Sequence, residues 1–409
     1  MLTMHLMTIN VTENQSFTPA KRYLFPVPPN TRLHTTVIVP VRNEAHHLAQ
    51  TLDALRQQAN PDGLLLHPAC FEVLLLANNC TDDSYEIAVR YQQRFPDFRL
   101  HVAQIQLPPQ HANIGTVRRM LMDEAHRRLT NLGKRNGIIA STDGDTVVDK
   151  LWLHHIVREI SAGSDAVGGR ILTQPDKSHV RLFHLRDVTY RTLIARAESL
   201  FDPCPHDPWP RHFQHFGASI AVTCQTYERV GGLPVKPFLE DEAFYRALIR
   251  MDAKVRQSPH VKVFTSTRIQ GRVAVGFSEQ LRCWSDMSRV GQCQLAEPAD
   301  AVLARLNARR QLRLCWSAQT VSLNDIEPIA QTLHIDPLWL ASEISKYRYF
   351  GELWENIEEK MTSGLWSQRW QPVPIVDAIR ELRKLIRQSV PANEPFAIQD
   401  PADNYLCAG

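Results

Sequence analysis

The sequence predicts an α/β fold: a mostly parallel central sheet covered by helices, followed by a helical C-terminal region. Three observations predict it. Short β-branched apolar runs alternate with segments of helical periodicity between residues 35 and 160. Several of those runs end in a polar loop. From about residue 285 onward the chain reads as helix.

The elements follow in order. Residues 1–33 are irregular and end in PVPPN, a poor setting for helix. TTVIVPV (35–41) is β-branched and bounded by proline, which predicts a buried strand. In NEAHHLAQTLDALRQQ (43–58), Ala45, Leu48, Ala49, Leu52 and Leu55 fall at helical spacing, with Asn43 as N-cap. NPDG (60–63) breaks the chain. FEVLLLA (71–77) is a second strand, DSYEIAVRYQQRF (83–95) a helix and LHVAQIQL (100–107) a third strand. Residues 114–133 are helical and stop at Gly133. NGIIASTD returns to strand, and LHHIVREI (153–160) puts Leu153, Ile156, Val157 and Ile160 on one face. The loops VPVRNE, ANNCTDDS and TDGDT each follow a strand, so they are expected to gather on one rim, where open sheets of this kind bind ligands.

Beyond residue 165 the pattern changes. DAVGGRILTQ predicts a strand, and proline-rich FDPCPHDPWPRH (201–212) a loop. Residues 215–234 read as strand, turn and short helix closed by Gly231-Gly232. FLEDEAFYRALIRM (238–251) is a helix that opens with three carboxylates, and VKVFTSTRIQGR (261–272) a strand followed by a basic loop. The predicted organisation is an irregular segment (1–33), two halves of an α/β domain (34–160 and 161–284), a helical region (285–396) and a tail (397–409).

Composition narrows the function classes. A chain of 409 residues exceeds one small core. A net charge of +3 gives no strong pull toward nucleic acid or anionic membrane. No apolar run is long enough to span a bilayer, and the first residues lack the features of a secretory signal. The eight cysteines form no CxxC pair, so reduced thiols in a cytoplasmic protein are expected.

The chemistry concentrates in a few places. Asp143 and Asp145 end an apolar strand one residue apart. Alone, such a pair reads as a solvated Asp-Gly turn. It also suits a hard divalent cation that keeps waters and binds substrate phosphates. Glu240, Asp241 and Glu242 open a helix, where the helix dipole stabilises acids; for Glu242 that suffices. Arg268 and Arg272 sit in a turn that is either solvated or able to close on a diphosphate.

The order of the pieces resolves these alternatives. VIVPVRNEA, LLLANNCTDDS, IGTVRRMLMDEA, STDGDT and GGLPVKPFLEDEAFYRAL, in that succession over residues 35–275, resemble the family 2 glycosyltransferases with the GT-A fold. The resemblance implies an inverting, metal-dependent transfer of a sugar from a nucleotide diphosphate donor to a hydroxyl acceptor. Residues 34–160 would be the nucleotide-sugar-binding half and 161–284 the acceptor-binding half. Pro40, Arg42 and Glu44 match the loop beside nucleobase and ribose, and Asn78 and Asp82 the loop after the second strand. Arg118 matches the arginine at the head of the next helix. Asp143 would approach ribose and metal, and Asp145 would bind Mg²⁺ or Mn²⁺ with the diphosphate. Asp241 matches the general base, with Glu240 beside it, and Arg268 and Arg272 would close over the diphosphate.

One departure is specific. The family usually has an acid in the slot of Ala77-Asn78, and an amide both donates and accepts where a carboxylate only accepts. Uracil remains the expected base because the family favours it, with altered tolerance. QLRCW (280–284) is similar to a processive-synthase signature, but its arginine is one position early, so transfer of a single sugar is expected. His212, His215 and His260 are left out of the metal set. DIEPIAQTLHIDPLWLASEI (325–344) is similar to a DNA-binding helix pair but lacks basic residues, so a packing role is expected and no nucleic-acid partner. Two alternatives stay open. One is a nucleotidyltransferase of related topology, disfavoured because the first loop lacks glycine. The other is a catalytically inactive nucleotide-sugar-binding protein, disfavoured because the acids are intact. The expected location is cytoplasmic, at most peripheral to the inner face of the membrane.

Overall fold

The computed structural model describes residues 24–173, 180–265, 277–318 and 322–390. The first half runs β1 (Thr35–Val41), α1 (Leu48–Arg56), β2 (Phe71–Asn78), α2 (Ser84–Arg94), β3 (Leu100–Ile105), α3 (Ile114–Asn131), β4 (Ile138–Ser141), β5 (Thr146–Val148) and α4 (Trp152–Ser161). Next come β6 (Ala166–Thr173), α5 (Arg181–Phe201), β7 (Ile220–Thr223), α6 (Cys224–Arg229), α7 (Glu240–Arg250), β8 (Val255–Thr265) and α8 (Phe277–Arg289). The C-terminal region holds β9 (Leu295–Ala296), α9 (Ala299–Ala318), α10 (Leu323–Leu333), α11 (Pro337–Ile344), α12 (Phe350–Thr362), α13 (Leu365–Arg369), β10 (Val373–Pro374) and α14 (Ile375–Ser389).

Eight strands form one sheet in the order β3-β2-β1-β4-β7-β6-β8-β5. Its first four strands are parallel, as the alternation predicts. Beyond β4 the sheet is mixed: β7 runs antiparallel to β4 and β6, β8 is parallel to β6, and β5 is antiparallel to β8. Parallel pairing aligns the C-terminal ends of β1, β2 and β4, with Val41 opposite Ala77 and Ile38 opposite Ser141. The loops carrying Arg42, Asn79 and Asp143 therefore leave the sheet on the same side.

Both faces of this sheet are buried. Ile38, Leu74 and Leu76 pack on one side with Val117, Leu121 and Met122 of α3 and with Phe244 and Leu248 of α7. Val37, Val39, Val73 and Leu75 pack on the other with α1 and α4, where Leu52, Leu55, Trp152 and Leu153 are fully buried. The strict in-and-out alternation along β1 thus binds helices on both faces at once.

Some boundaries differ from expectation. The helix expected from Asn43 begins at Leu48 instead, because Asn43 adopts a left-handed backbone (φ 55). Its amide exchanges bonds with Thr81, donating to Oγ1 (3.1 Å) and accepting from the backbone N–H (2.7 Å). It staples two rim loops rather than capping a helix. α5, with 21 residues, was not expected from the sequence. It packs against α9 and α14 through Leu193, Ala197, Val302, Leu306, Leu382 and Ile386. The strand expected to open at residue 261 begins at Val255.

The helices around residues 325–344 bury Ile326, Ile329, Leu333, Leu340 and Ile344 in their own cluster, consistent with a packing role. The seven cysteines among the described residues are free. None of the described helices is long and apolar enough to cross a membrane.

Candidate active site

The rim is built around one buried arginine. Asn113 caps α3 by accepting the backbone N–H of Thr116 (3.0 Å), which fixes the start of the helix. Arg118, one turn on, turns inward and is almost wholly buried. Its Nε donates to Glu240 Oε1 (3.1 Å) and one terminal nitrogen donates to Asp143 Oδ1 (2.9 Å). The other terminal nitrogen donates to Ser141 Oγ (2.5 Å) and to the Gly217 carbonyl (2.7 Å). Burial alone would favour the neutral guanidinium, but Asp143, Glu240 and Asp241 outweigh it and hold the group firmly charged. A β-carbon at Gly217 would lie 2.6 Å from the guanidinium carbon, so the absence of a side chain there makes the site possible.

The acids on either side respond to this cation. Burial pushes the Asp143 carboxyl up, reinforced by Asp145 and opposed by Arg118. Burial likewise pushes Glu240 up, against the pull of Arg118. Asp241 is held differently: Oδ2 accepts the Gly217 N–H (2.8 Å) and Oδ1 accepts the Glu242 N–H (2.8 Å). Peptide N–H groups orient this carboxylate without an ion pair to Arg118. α7 starts from Leu239 in a left-handed conformation (φ 56), which sets the direction of both acids.

The Asp-Gly-Asp turn abuts the first loop. A β-carbon on Gly144 would meet Val41 (3.1 Å), Glu44 (3.2 Å) and the Pro40 carbonyl (3.4 Å). Thr51 Oγ1 donates to the Gly144 carbonyl (3.1 Å). Pro40, Glu44, Asp143 and Asp145 therefore share one corner. Arg42 donates to the Ala112 carbonyl (2.8 Å). Asp82 braces the loops: it accepts from the Ala45 N–H (3.0 Å), the Ser84 N–H (3.1 Å) and the Ser84 hydroxyl (2.6 Å). Asn78 ends β2, buried, and its Oδ1 finds no hydrogen-bond partner among the described residues.

Arg268 and Arg272 lie outside the described residues. Glu242 does more than begin a helix: it pairs with His215 (2.5 Å) and Arg246 (2.7 Å). Chiefly through the His215 bond, its carboxyl is held down at about 2. His212 is a core residue, its Nε2 3.1 Å from the Gly168 carbonyl, and burial drives its pKa down to about 3. Both histidines thus have protein partners.

Ser141 and Gly217 were not among the residues singled out from sequence. The hydroxyl of Ser141 accepts from Arg118 and donates to the Gly217 carbonyl (3.1 Å). The Gly-Ala-Ser turn before β7 gave only a faint signal of this.

Among the described residues, no group of three or more His, Cys, Asp and Glu is gathered tightly enough to hold a metal alone. The donor set at the turn is two carboxylates one residue apart with no thiol. That fits a hard cation completing its shell with waters and phosphates.

An acid-and-arginine rim at the strand ends of a helix-covered sheet defines an α/β protein of the kind that binds ligands beyond its strands. The family model described as Glycosyl transferase family 2 matches residues 36–210 of the chain. Glu240 and Asp241 lie past the matched segment. The chain is 28% identical over 138 residues to the glycosyltransferase AglE of Haloferax volcanii, 33% of this chain and 38% of that protein. It thus spans about two fifths of the length of the curated relative it matches.

Similar solved structures include the mannosyltransferase PcManGT from Pyrobaculum calidifontis with GDP-Man and Mn²⁺ (16% identity, 89% of each chain, TM-score 0.41). Another is S. aureus TarS 1-349 with UDP (14% identity, 87% of this chain and 92% of that one, TM-score 0.41). At such identities and TM-scores the fold rests on the strands and helices described above.

Proposed function

We propose that the chain is an inverting, metal-dependent glycosyltransferase that moves one sugar from a nucleotide diphosphate donor to a hydroxyl acceptor. The observation that carries this reading is the Arg118 guanidinium, which joins Asp143 of the Asp-Gly-Asp turn to Glu240 of the acidic helix on one rim. Donor-side and acceptor-side carboxylates are thereby held in one rigid unit.

The roles divide by environment. Asp143 and Asp145 would hold Mg²⁺ or Mn²⁺, which when bound offsets the negative charge that grows on the departing diphosphate. Arg118 already spends four donor contacts on protein, so its role is to fix Asp143 and Glu240 rather than to grip the diphosphate broadly. Asp241 takes the proton from the acceptor hydroxyl. The oxygen then bonds to the anomeric carbon from the face opposite the diphosphate, and the bond to the diphosphate breaks with its electron pair leaving on the nucleotide. One base suffices for this single displacement, and configuration inverts. Glu240 is engaged by Arg118 and serves to position it.

Pro40, Arg42, Glu44 and Asn78 border the nucleoside, and Asp82 acts through the loops it braces. Uracil is the proposed base. Arg268 and Arg272 would close over the diphosphate. The proposed location is cytoplasmic, at most peripheral to the inner face of the membrane.

The test is incubation with UDP-, GDP-, ADP- and TDP-sugars and Mn²⁺, reading nucleoside diphosphate release and the anomeric configuration of the sugar product by NMR. Release with inversion is expected. Retention of configuration, or no release from any donor, would contradict the reading.

A further inference from the structure

Five consecutive residues before α7, Val235 to Leu239, are all exposed. Three are large and apolar: Val235 (58% exposed), Phe238 (39%) and Leu239 (45%). The loop is not loose. Leu233, fully buried, anchors its base, and Arg119 donates to the carbonyls of Gly231 (3.0 Å) and Leu233 (2.9 Å). The Lys236 backbone lies so close to α3 that a β-carbon on Gly115 would come within 1.9 Å of its carbonyl oxygen. Pro234 and Pro237 restrict it further. A clamped backbone thus presents apolar side chains to solvent.

Leu239 is doubly unfavourable for the fold. It holds a left-handed backbone that bulky side chains rarely adopt, and its apolar side chain stays in water. Glycine or asparagine would suit the backbone better. Phe216 is 38% exposed, and the next residue, Gly217, supplies the N–H that orients Asp241. Exposed apolar side chains thus adjoin the proposed base from two segments: Leu239, two residues before it, and Phe216, next to the Gly217 that bonds it. Lys236 stands within it, exposed and with no ion-pair partner among the described residues. An ammonium set among apolar side chains complements an anionic group at the end of a hydrocarbon.

We propose that this loop and Phe216 form the acceptor wall, and that the acceptor is an anionic amphiphile. Its hydrocarbon lies on Val235, Phe238, Leu239 and Phe216, its charge pairs with Lys236, and its hydroxyl turns to Asp241. This rests on the reading of Asp241 as the base of a sugar transfer.

The test uses monomeric dodecyl phosphate, ethyl phosphate and dodecyl β-glucoside as probes. Binding to the full chain is measured by calorimetry with and without UDP and Mn²⁺. Dodecyl phosphate should bind at least about tenfold more tightly than ethyl phosphate, since burying even two methylenes supplies that much. Leu239→Asn should lose most of that advantage while its melting temperature holds or rises, and Lys236→Gln should bind dodecyl phosphate no better than dodecyl β-glucoside. UDP binding, measured in the same samples, should be unchanged in both variants. Equal binding of the short and long phosphates would overturn the proposal. So would a destabilised Leu239→Asn that still binds dodecyl phosphate normally. Binding to phosphatidylglycerol vesicles without binding of the monomeric amphiphile would assign the loop to a bilayer instead. Loss of UDP binding in the wild-type chain would count against the transferase reading and not against the loop.

Discussion

Arg118 and Glu240 stand 122 residues apart in sequence and meet at 3.1 Å, and the same guanidinium reaches Asp143 at 2.9 Å. A buried cation shared between two acids stabilises little in sum, but removing it strands both acids. Arg118→Met should therefore cost about 3–5 kcal/mol in urea unfolding. Arg118→Lys should recover only part, because a point charge cannot reach four acceptors at once. A loss under about 1 kcal/mol for Arg118→Met would show that the acids find another partner or water.

Asp241 is the proposed base, and its effect should lie in turnover. Asp241→Asn keeps the shape and removes the basicity, so turnover with the true acceptor should fall by roughly 10²–10⁴. The donor dissociation constant should change little, because the base acts only as the acceptor loses its proton. Glu240→Gln should be milder. Near-normal turnover in Asp241→Asn would place the base elsewhere.

Asn78 tests the nucleobase. Its carbonyl oxygen is buried and has no hydrogen-bond partner among the described residues, and on the proposed reading it accepts from the base. In competition among UDP, GDP, ADP and TDP, UDP should bind best, and Asn78→Asp should shift the UDP-to-GDP ratio by about tenfold, the weight of one hydrogen bond. GDP binding more tightly than UDP to the wild-type chain would contradict the uracil assignment.

Away from the site, the Glu72–Arg128 pair sets an acid limit on stability. Arg128 donates to both oxygens of Glu72 (2.8 and 2.7 Å) and to the carbonyls of Phe25 (3.3 Å) and Val27 (2.7 Å). Burial pushes the Glu72 carboxyl up, but Arg128 and His101 more than offset it and hold it at about 2, against an ordinary 4.5. The fold therefore binds this proton less tightly than the unfolded chain does. The stabilisation is complete above about pH 4.5 and is lost as pH falls toward about 2. Urea unfolding across that range should show a flatter pH dependence in Glu72→Gln than in wild type. Identical slopes would mean that Glu72 does not carry the acid limb.

What was legible in the sequence follows from the range of each signal. β1, β2, β4 and α3 announced themselves because a doubly covered strand is continuously apolar and a helix stripe repeats locally. Asn43 misled because the same short amide suits a cap or a left-handed turn, and only the distant Thr81 decides. α5 was missed because its buried positions, Leu193, Ala195, Arg196 and Ala197, make no clean stripe; its partners lie on α9 and α14. At the site, the acids were legible as a motif. Arg118 was reached through the resemblance alone, and its pairing with both acids was not foreseen, since nothing local in IGTVRRML tells which arginine turns inward. Arg118 goes to the core, whereas Arg119 holds Asp123 and the Gly231 loop.

Asp143 and Asp145 are proposed to bind a nucleotide diphosphate through a divalent cation. The most direct measurement is calorimetric binding of UDP to the wild-type chain and to Asp145→Asn, each with Mn²⁺ and with EDTA. Wild type should bind UDP with Mn²⁺ and lose that binding in EDTA. Asp145→Asn should stay folded by circular dichroism yet bind no UDP in either condition. Equal UDP binding by wild type and variant, unchanged by EDTA, would contradict that assignment.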